Sequence, residues 1–539
     1  MLRARAHSPR NSDIAMSRKS AIQINNIDLC RAFLSGASHY VARPMLKPNH
    51  DIVGSAATPA RKSPWRVELT ETVKLSLPIA LTQLGQIAMM TTDLALVGRL
   101  GDTALAASAL AQTVLFAAFV LGMGLVSAVA PLAAQGFGAR QPRLVRRALR
   151  VGLWASVFLG VPLTLLQLQG EAMLLALGQS PAAAALAHQY LAGLAWSLIP
   201  AWWFIALRNF MSAVNRPEPA LWIMLAAIPV NFALAYALIF GEFGFPRLEL
   251  FGAGVATTIV NIGMCAVAVW VCYARRPFKK YQVLGRFWRS DWPLFWKLIV
   301  IGAPVSGAFS LEYGVFAAAA LLMGHISTAA LAAHQLALQT AAIMFMVPFG
   351  ISMAATVRVG QAVGRGDAPA TRIAGFTALG LASVFMATMT LLVITTRHWI
   401  PSLYLGAEAE NAAATVAIAS KLLLLGACFF VFDGIQTVGA GALRGLHDTR
   451  VPLVFAAFGF WVVGFTSAYL LGFPLGYGAE GIWIGLTLGL FVFAGLLVWR
   501  FHWLTARRYL PKLAGHYDGG IAPDPRLDGE RTPLRSAAH

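Results

Sequence analysis

Charge is scarce in this chain. Asp, Glu, Lys and Arg make up 12% of its 539 residues, about half the ~25% usual for a soluble domain, so an ordinary water-soluble globule is excluded. Its apolar segments lack period-2 alternation, which excludes a transmembrane barrel. Cysteine is almost missing. Cys30, Cys265, Cys272 and Cys428 are the whole set, without metal-ligand spacing and without a disulfide framework. No HExxH, GxSxG, aspartate-rich diphosphate or Walker A motif occurs, which argues against a membrane enzyme and against ATP-driven pumping by this chain alone. The first ~65 residues hold no continuous apolar run before a small-residue cleavage site, so they read as a polar basic extension and not a signal peptide. Met16 and Met45 stand within it as later candidate starts.

What is present is hydrocarbon. The chain is 58% hydrophobic, and apolar stretches of roughly 20 residues, each long enough to cross a ~30 Å layer as a helix, recur along it. Twelve spans are expected near residues 73–98, 104–132, 147–169, 187–213, 219–241, 252–274, 292–322, 329–357, 371–396, 412–443, 451–472 and 480–505. The net charge of +19 comes from loops, not from a nucleic-acid-binding surface. Alternate connections, among them GARQPRLVRRALR and YARRPFKKYQVLGRFWRSDWPLFWK, carry nineteen Lys and Arg, whereas the opposite connections carry Arg99, Arg247 and Arg397. That asymmetry places the basic loops and both termini on the cytoplasmic side.

The two halves repeat. An offset of 226 residues sets Pro78 on Pro304, the LAA of 105–107 on that of 331–333, Gly124 on Gly350 and Gln135 on Gln361. An offset of 233 matches Pro219 with Pro452 and Tyr236 with Tyr469. Several coincidences in register argue for duplication. Six spans per unit make a parallel repeat about an axis along the membrane normal, with the interface as the natural substrate path. The expected fold is an all-α membrane protein of twelve transmembrane helices in two pseudo-symmetric six-helix bundles. Its parts are a disordered basic extension (1–70), an amino-lobe bundle (71–275), a cytoplasmic linker (276–291), a carboxyl-lobe bundle (292–508) and a disordered tail (509–539).

Three acids sit inside apolar spans: Asp93, Glu312 and Asp433. At ~1.5 Å per residue, Asp433 lies about 17 Å along its helix from Arg444, and Glu312 about 22 Å from Lys297. Each acid costs on the order of 2.5–3.5 kcal/mol near the bilayer centre, so an idle carboxylate is disfavoured. With no intramembrane Lys or Arg expected beside them, something mobile must meet the charge. A proton, Na⁺ held by carboxylate and carbonyl oxygens at Glu312 and Asp433, or an organic cation against the rings of Tyr313, Phe429, Phe430 and Phe432 would each serve. Occupancy by one discourages the next, as an antiporter requires. Gln436, His334, Gln335 and Gln339 are candidate polar neighbours in the second half. Gln86, Asn231 and Thr257 are candidates around Asp93. A lone intramembrane His such as His334 is more often a hydrogen-bonding core residue than a proton relay, and Asn231 also reads as an interhelical hydrogen-bonder.

The stretches LPIALTQ, TTDLALVGRLG, PLAAQGFGA, FSLEYGVFAAAALLMG, LAAHQLALQ, VPFGISMAATVRVGQAVGRGD and DGIQTVGAGALRG, in this order over residues 70–505, resemble the multidrug and toxic compound extrusion (MATE) family, in particular its NorM-type bacterial branch. The resemblance implies a V-shaped pair of six-helix bundles that exports amphipathic, often cationic compounds against inward Na⁺ or H⁺. It implies a carboxyl-lobe cation site at Glu312 and Asp433, and an amino-lobe site at Asp93, Asn231 and Thr257. Ala235 departs from the family's amino-lobe pattern, where relatives carry Asp or Asn, and Phe429 stands where some relatives have Tyr. The expected partners are drugs or organic cations and the lipid bilayer, with no nucleic acid, no cofactor beyond the coupling ion, and a monomer in the bacterial inner membrane. A lipid-linked saccharide flippase is the alternative within transport, although it would be expected to carry a basic cavity. A major-facilitator transporter lacks its glycine-framed basic signature here. A passive channel is separable by flux without counter-ion dependence.

Overall fold

The computed structural model describes residues 63–176, 178–283, 285, 287–289, 291–404 and 412–511. Twelve long helical segments carry the fold. They are α1 (Pro64–Gly98), α2 (Asp102–Gly138), α3 (Pro142–Gln167), α4 (Pro181–Ala213), α5 (Glu218–Phe240), α6 (Glu249–Ala274), α7 (Trp292–Ile326), α8 (Thr328–Gly364) and α9 (Ala368–Thr396). They continue with α10 (Ala412–Gly445), α11 (Arg450–Gly472) and α12 (Gly478–Ala506). All but α1 and part of α10 qualify by length and apolarity over these bounds. Gln83, Gln86 and Asp93 dilute the apolar run of α1. The helix begins at Pro64, inside the stretch expected to be an extension, because proline suits a first helical position. Residues 1–62 and 512–539 lie outside the described residues.

The helices outrun the apolar runs at the end bearing the basic loops, and there the halves interlock. Ser306 Oγ on α7 donates to the Leu121 carbonyl of α2 at 2.6 Å. A Cβ on Gly124 would stand 2.4 Å from Ser306 Cα, and one on Gly350 would stand 2.8 Å from Ala80 Cα. The 226-residue offset converts the first contact into the second, so α2–α7 and α8–α1 are one crossing made twice. Nearer the loops, Gln135 Nε2 donates to Gly445 O at 3.0 Å, and Gln361 Nε2 donates to Ala213 O at 3.0 Å. A Cβ on Gly138 would meet Gln361 O at 2.1 Å, and one on Gly364 would meet Gln135 O at 2.2 Å. The apolar core of the first half accordingly takes in Leu298 and Ile301 of α7 and Met353 and Val357 of α8. A second core fills the other half around Phe429, Phe430, Trp483 and Phe493.

One ion pair fastens the same end without a counterpart. Glu68 on α1 accepts from Arg358 Nε and Nη2 on α8 at 2.7 and 2.6 Å, with both side chains about one-eighth exposed. Glu68→Gln removes the charge from a two-point pair, where each charged hydrogen bond contributes roughly 1.5–3 kcal/mol. The expected result is an apparent Tm in detergent lowered by several degrees. Lys421→Gln, in an exposed pair with Glu480, should shift it negligibly. Equal shifts in the two variants would refute the assignment.

Candidate functional site

Glu312 lies on α7, and Asp433 and Gln436 lie one helical turn apart on α10. The Gln436 amide ties all three together. Its Nε2 stands 3.1 Å from Glu312 Oε1, 3.1 Å from Asp433 Oδ1 and 3.0 Å from Thr437 Oγ1. Glu312 and Gln436 form part of the wall of a cavity that also exposes Phe309, Phe345 and Thr437, while Asp433 is buried behind them. A neutral amide thus occupies the place between two acids where a cation would satisfy both. Turned over, Gln436 would present its carbonyl oxygen to the same space, alongside both carboxylates and the Thr437 hydroxyl. This oxygen set fits Na⁺ chemistry and equally fits a proton shared between two acids. Among the described residues, no group of three or more His, Cys, Asp and Glu could hold a metal ion.

α11 sets the height of Glu312. It passes through π-helical turns at Ala457–Phe465, and Trp461 Nε1 donates to Leu311 O at 3.2 Å, fixing the residue next to the acid.

The expectation that no arginine is available inside the membrane helices needs correction. Arg444 belongs to the last turn of α10, is buried, and lines the same cavity as Glu312. Its Nη2 donates to Ser352 Oγ at 3.2 Å and its guanidinium lies over the Phe309 ring at 5.7 Å. Arg208 in α4, at the matching Leu-Arg of the first half, is also buried and donates to Gln83 Oε1. Both fall among the nineteen basic residues counted toward the cytoplasmic-side connections, although Arg208 lies within the expected 187–213 span. Neither Glu312 nor Asp433 forms an ion pair among the described residues.

In the first half the cluster assembles around Asp93. Asn231 Nδ2 on α5 donates to Asp93 Oδ1 at 2.5 Å, and Thr257 Oγ1 on α6 reaches Asp93 Oδ2 at 3.1 Å. Tyr190 of α4, which sequence reasoning missed, lies buried beside this carboxylate and hydrogen-bonds Gln112. Ala235 is buried in apolar core, so the turn after Asn231 adds no oxygen. Gln86 joins nothing: it is half-buried and has no hydrogen bond among the described residues. By the 226-residue offset it occupies the place of Glu312, so the two halves carry different chemistry on one scaffold.

The remaining candidates lie apart from the acids. His334 is fully buried and accepts from Trp483 Nε1 on α12 at 3.1 Å, which makes it a core hydrogen-bonder. Gln335 and Gln339 face outward. Tyr313 sets its ring 5.1 Å from Phe116 at the α2–α7 seam. Phe429 is buried against Trp483 at 5.2 Å, and the half-buried Phe432 packs on Phe491 at 5.0 Å, so these rings pack against other helices and are not part of the wall around Glu312.

The MatE family model matches residues 78–237 and 304–470. The chain belongs to the MatE family. The two MatE matches begin and end at the offsets read from the repeat. Among relatives, the probable multidrug resistance protein NorM of Rhodopseudomonas palustris is 63% identical over 465 residues, covering 86% of this chain and 98% of that protein. The protein of the same description in Bradyrhizobium diazoefficiens is 56% identical over 444 residues, covering 82% and 94%. The solved eukaryotic MATE transporter AtDTX14 superposes with a TM-score of 0.73 at 21% identity, over 83% of this chain and 99% of that one. A multidrug resistance MATE transporter in an outward-facing conformation gives 0.75 at 19%, over 82% and 96%. MatE architecture, with twelve transmembrane helices in two six-helix bundles, is therefore the fold of this multi-pass membrane protein.

Proposed function

We propose that this protein is a secondary active multidrug exporter, moving amphipathic, often cationic organic compounds outward in exchange for Na⁺ or H⁺ moving inward. Two MatE relatives described as multidrug resistance proteins support the substrate class and disfavour the flippase alternative. The observation that carries the reading is the single Gln436 amide bridging Glu312 and Asp433 at a cavity wall. A cation reaching those oxygens displaces the amide, and a second cation then finds the charge already met. Mutual exclusion of this kind is what exchange requires. Arg444 on the same wall opposes overly tight binding of an organic cation. Asp93, with Asn231 and Thr257, serves as a second site linked to protonation.

The asymmetry of the basic loops supports both termini on the cytoplasmic side, and the bacterial relatives support an inner membrane. A monomer, with no cofactor beyond the coupling ion, suffices for this cycle. Purified protein in liposomes should concentrate a fluorescent organic cation when ΔpH or ΔNa⁺ is imposed alone, and the effective gradient names the ion. Dye movement independent of both gradients would replace the exchanger with a channel.

A further inference from the structure

A second cavity lies away from the acids, between α3, the start of α7 and the segment joining α6 to α7. Arg150, Trp154, Phe158, Trp288, Arg289 and Trp292 line it. Its rings form one continuous wall. Trp154 stacks on Phe287 at 5.3 Å and meets Trp288 at 5.9 Å, and Phe158 meets Trp292 at 6.3 Å. Trp154 Nε1 is committed to Phe287 O at 3.1 Å. The indole N–H groups of Trp288 and Trp292 and the guanidinium of Arg289 make no hydrogen bond or ion pair among the described residues. Phe158 and Trp292 are each 55% exposed and Trp288 is 83% exposed.

Charge decides what this cup accepts. Among the described residues that line it, Asp291 is the only acid, and Arg147 holds that carboxylate by two hydrogen bonds of 2.5 and 3.1 Å, with Arg150 at 3.7 Å. Burial pushes the Asp291 carboxyl up, but the Arg147 hydrogen bond and the charges of Arg147 and Arg150 together hold it below the usual carboxylate range. The acid is therefore already satisfied. Arg289 remains uncommitted, and neighbouring Arg146 has a buried Nε without a hydrogen-bond partner. An organic cation is repelled here. An anion with a hydrocarbon tail fits, because the arginines lie at the loop end of α3 and the rings Trp154 and Phe158 lie roughly 6–12 Å deeper along it. That order, charge outside and apolar surface inside, is the order of a phospholipid.

We propose that this cavity is a binding site for one anionic phospholipid, its phosphodiester at Arg289 and Arg150 and an acyl chain along Phe158 and Trp292. Basic pockets between membrane helices commonly take such headgroups. Plain anchoring by interfacial tryptophan would show no such selectivity among lipids.

Native mass spectrometry of the full chain, with phosphatidylglycerol and phosphatidylcholine in equal amounts, tests the site. The wild type should retain one phosphatidylglycerol in preference to phosphatidylcholine. Arg289→Gln, at an exposed position, should lower that preference by about fivefold, the effect of roughly one charge beside an anionic lipid, whereas Trp288→Ala, which removes apolar surface and no charge, should lower retention of both lipids. Arg247→Gln, exposed and distant in the chain, should leave it intact, and millimolar inorganic phosphate should not displace the lipid. An absent preference, an Arg289→Gln variant that retains it, a Trp288→Ala variant that holds both lipids as the wild type does, or displacement by phosphate alone would each overturn the proposal.

Discussion

Glu312→Gln and Asp433→Asn, each made alone, should reduce gradient-driven efflux to the leak level, at least about a hundredfold, equivalent to roughly 2.7 kcal/mol. The substitutions preserve shape and hydrogen bonding, so the Gln436 bridge can re-form and the helices should fold as before. What they remove is the ability to take up a proton or neutralise a cation. A small loss would be expected from deleting one hydrogen bond, about 0.5–1.5 kcal/mol, and a near-total one from deleting the exchanging charge. The measurement is dye accumulation in liposomes under the gradient that drives the wild type, with circular dichroism as the folding control. If either variant still pumps at the wild-type rate, the coupling acid is elsewhere, and Asp93 becomes the candidate.

The second large effect concerns the interlocked end. Gly138→Ala and Gly364→Ala place a methyl 2.1 and 2.2 Å from backbone oxygens, far inside the ~3.5–4.0 Å of ordinary carbon contact. Backbone cannot swing aside as a side chain can, so α2 and α8 must separate by roughly 1.5 Å or more, with an overpacking cost of about 1–3 kcal/mol. The population should shift toward states open at the end bearing the basic loops. Spin labels at Gln141 and Arg365, in a background without native cysteines, should report a longer distance by double electron–electron resonance. Because the two contacts are copies, both variants should open the protein to a similar extent. An unchanged distance distribution in both would refute the account.

Much of this was legible in the sequence, for a physical reason. Membrane helices must satisfy their own backbone, so apolar length alone marks them, and an acid in such a run stands out against hydrocarbon. Asp93, Asn231 and Thr257 meet as the polar pattern suggested, and so do Glu312, Asp433 and Gln436. The misses share a cause. Arg208 and Arg444 count toward the basic connections, and their burial depends on neighbouring helices of their own half, with Gln83 against Arg208 and Ser352 and Phe309 against Arg444. His334, Gln339 and Phe429 were candidates by spacing along a helix, but spacing cannot say which neighbour a face meets. Tyr190 had no signal at all. A buried tyrosine on an apolar helix reads as packing until Asp93 is seen beside it. The cup at Arg289 depends on a linker conformation that no periodicity encodes.

The duplicated crossing has a history built into it. A surface whose glycine and glutamine meet the rotated counterparts of the residues they themselves contact is isologous, the geometry of a two-fold homodimer. Here that dimer is written in one polypeptide, with the linker as its suture. Fusion then freed the halves to drift apart in chemistry while the seam stayed matched: Gln86 on one side, Glu312 on the other. The seam records where two identical partners once met, and the acids record what each became afterwards.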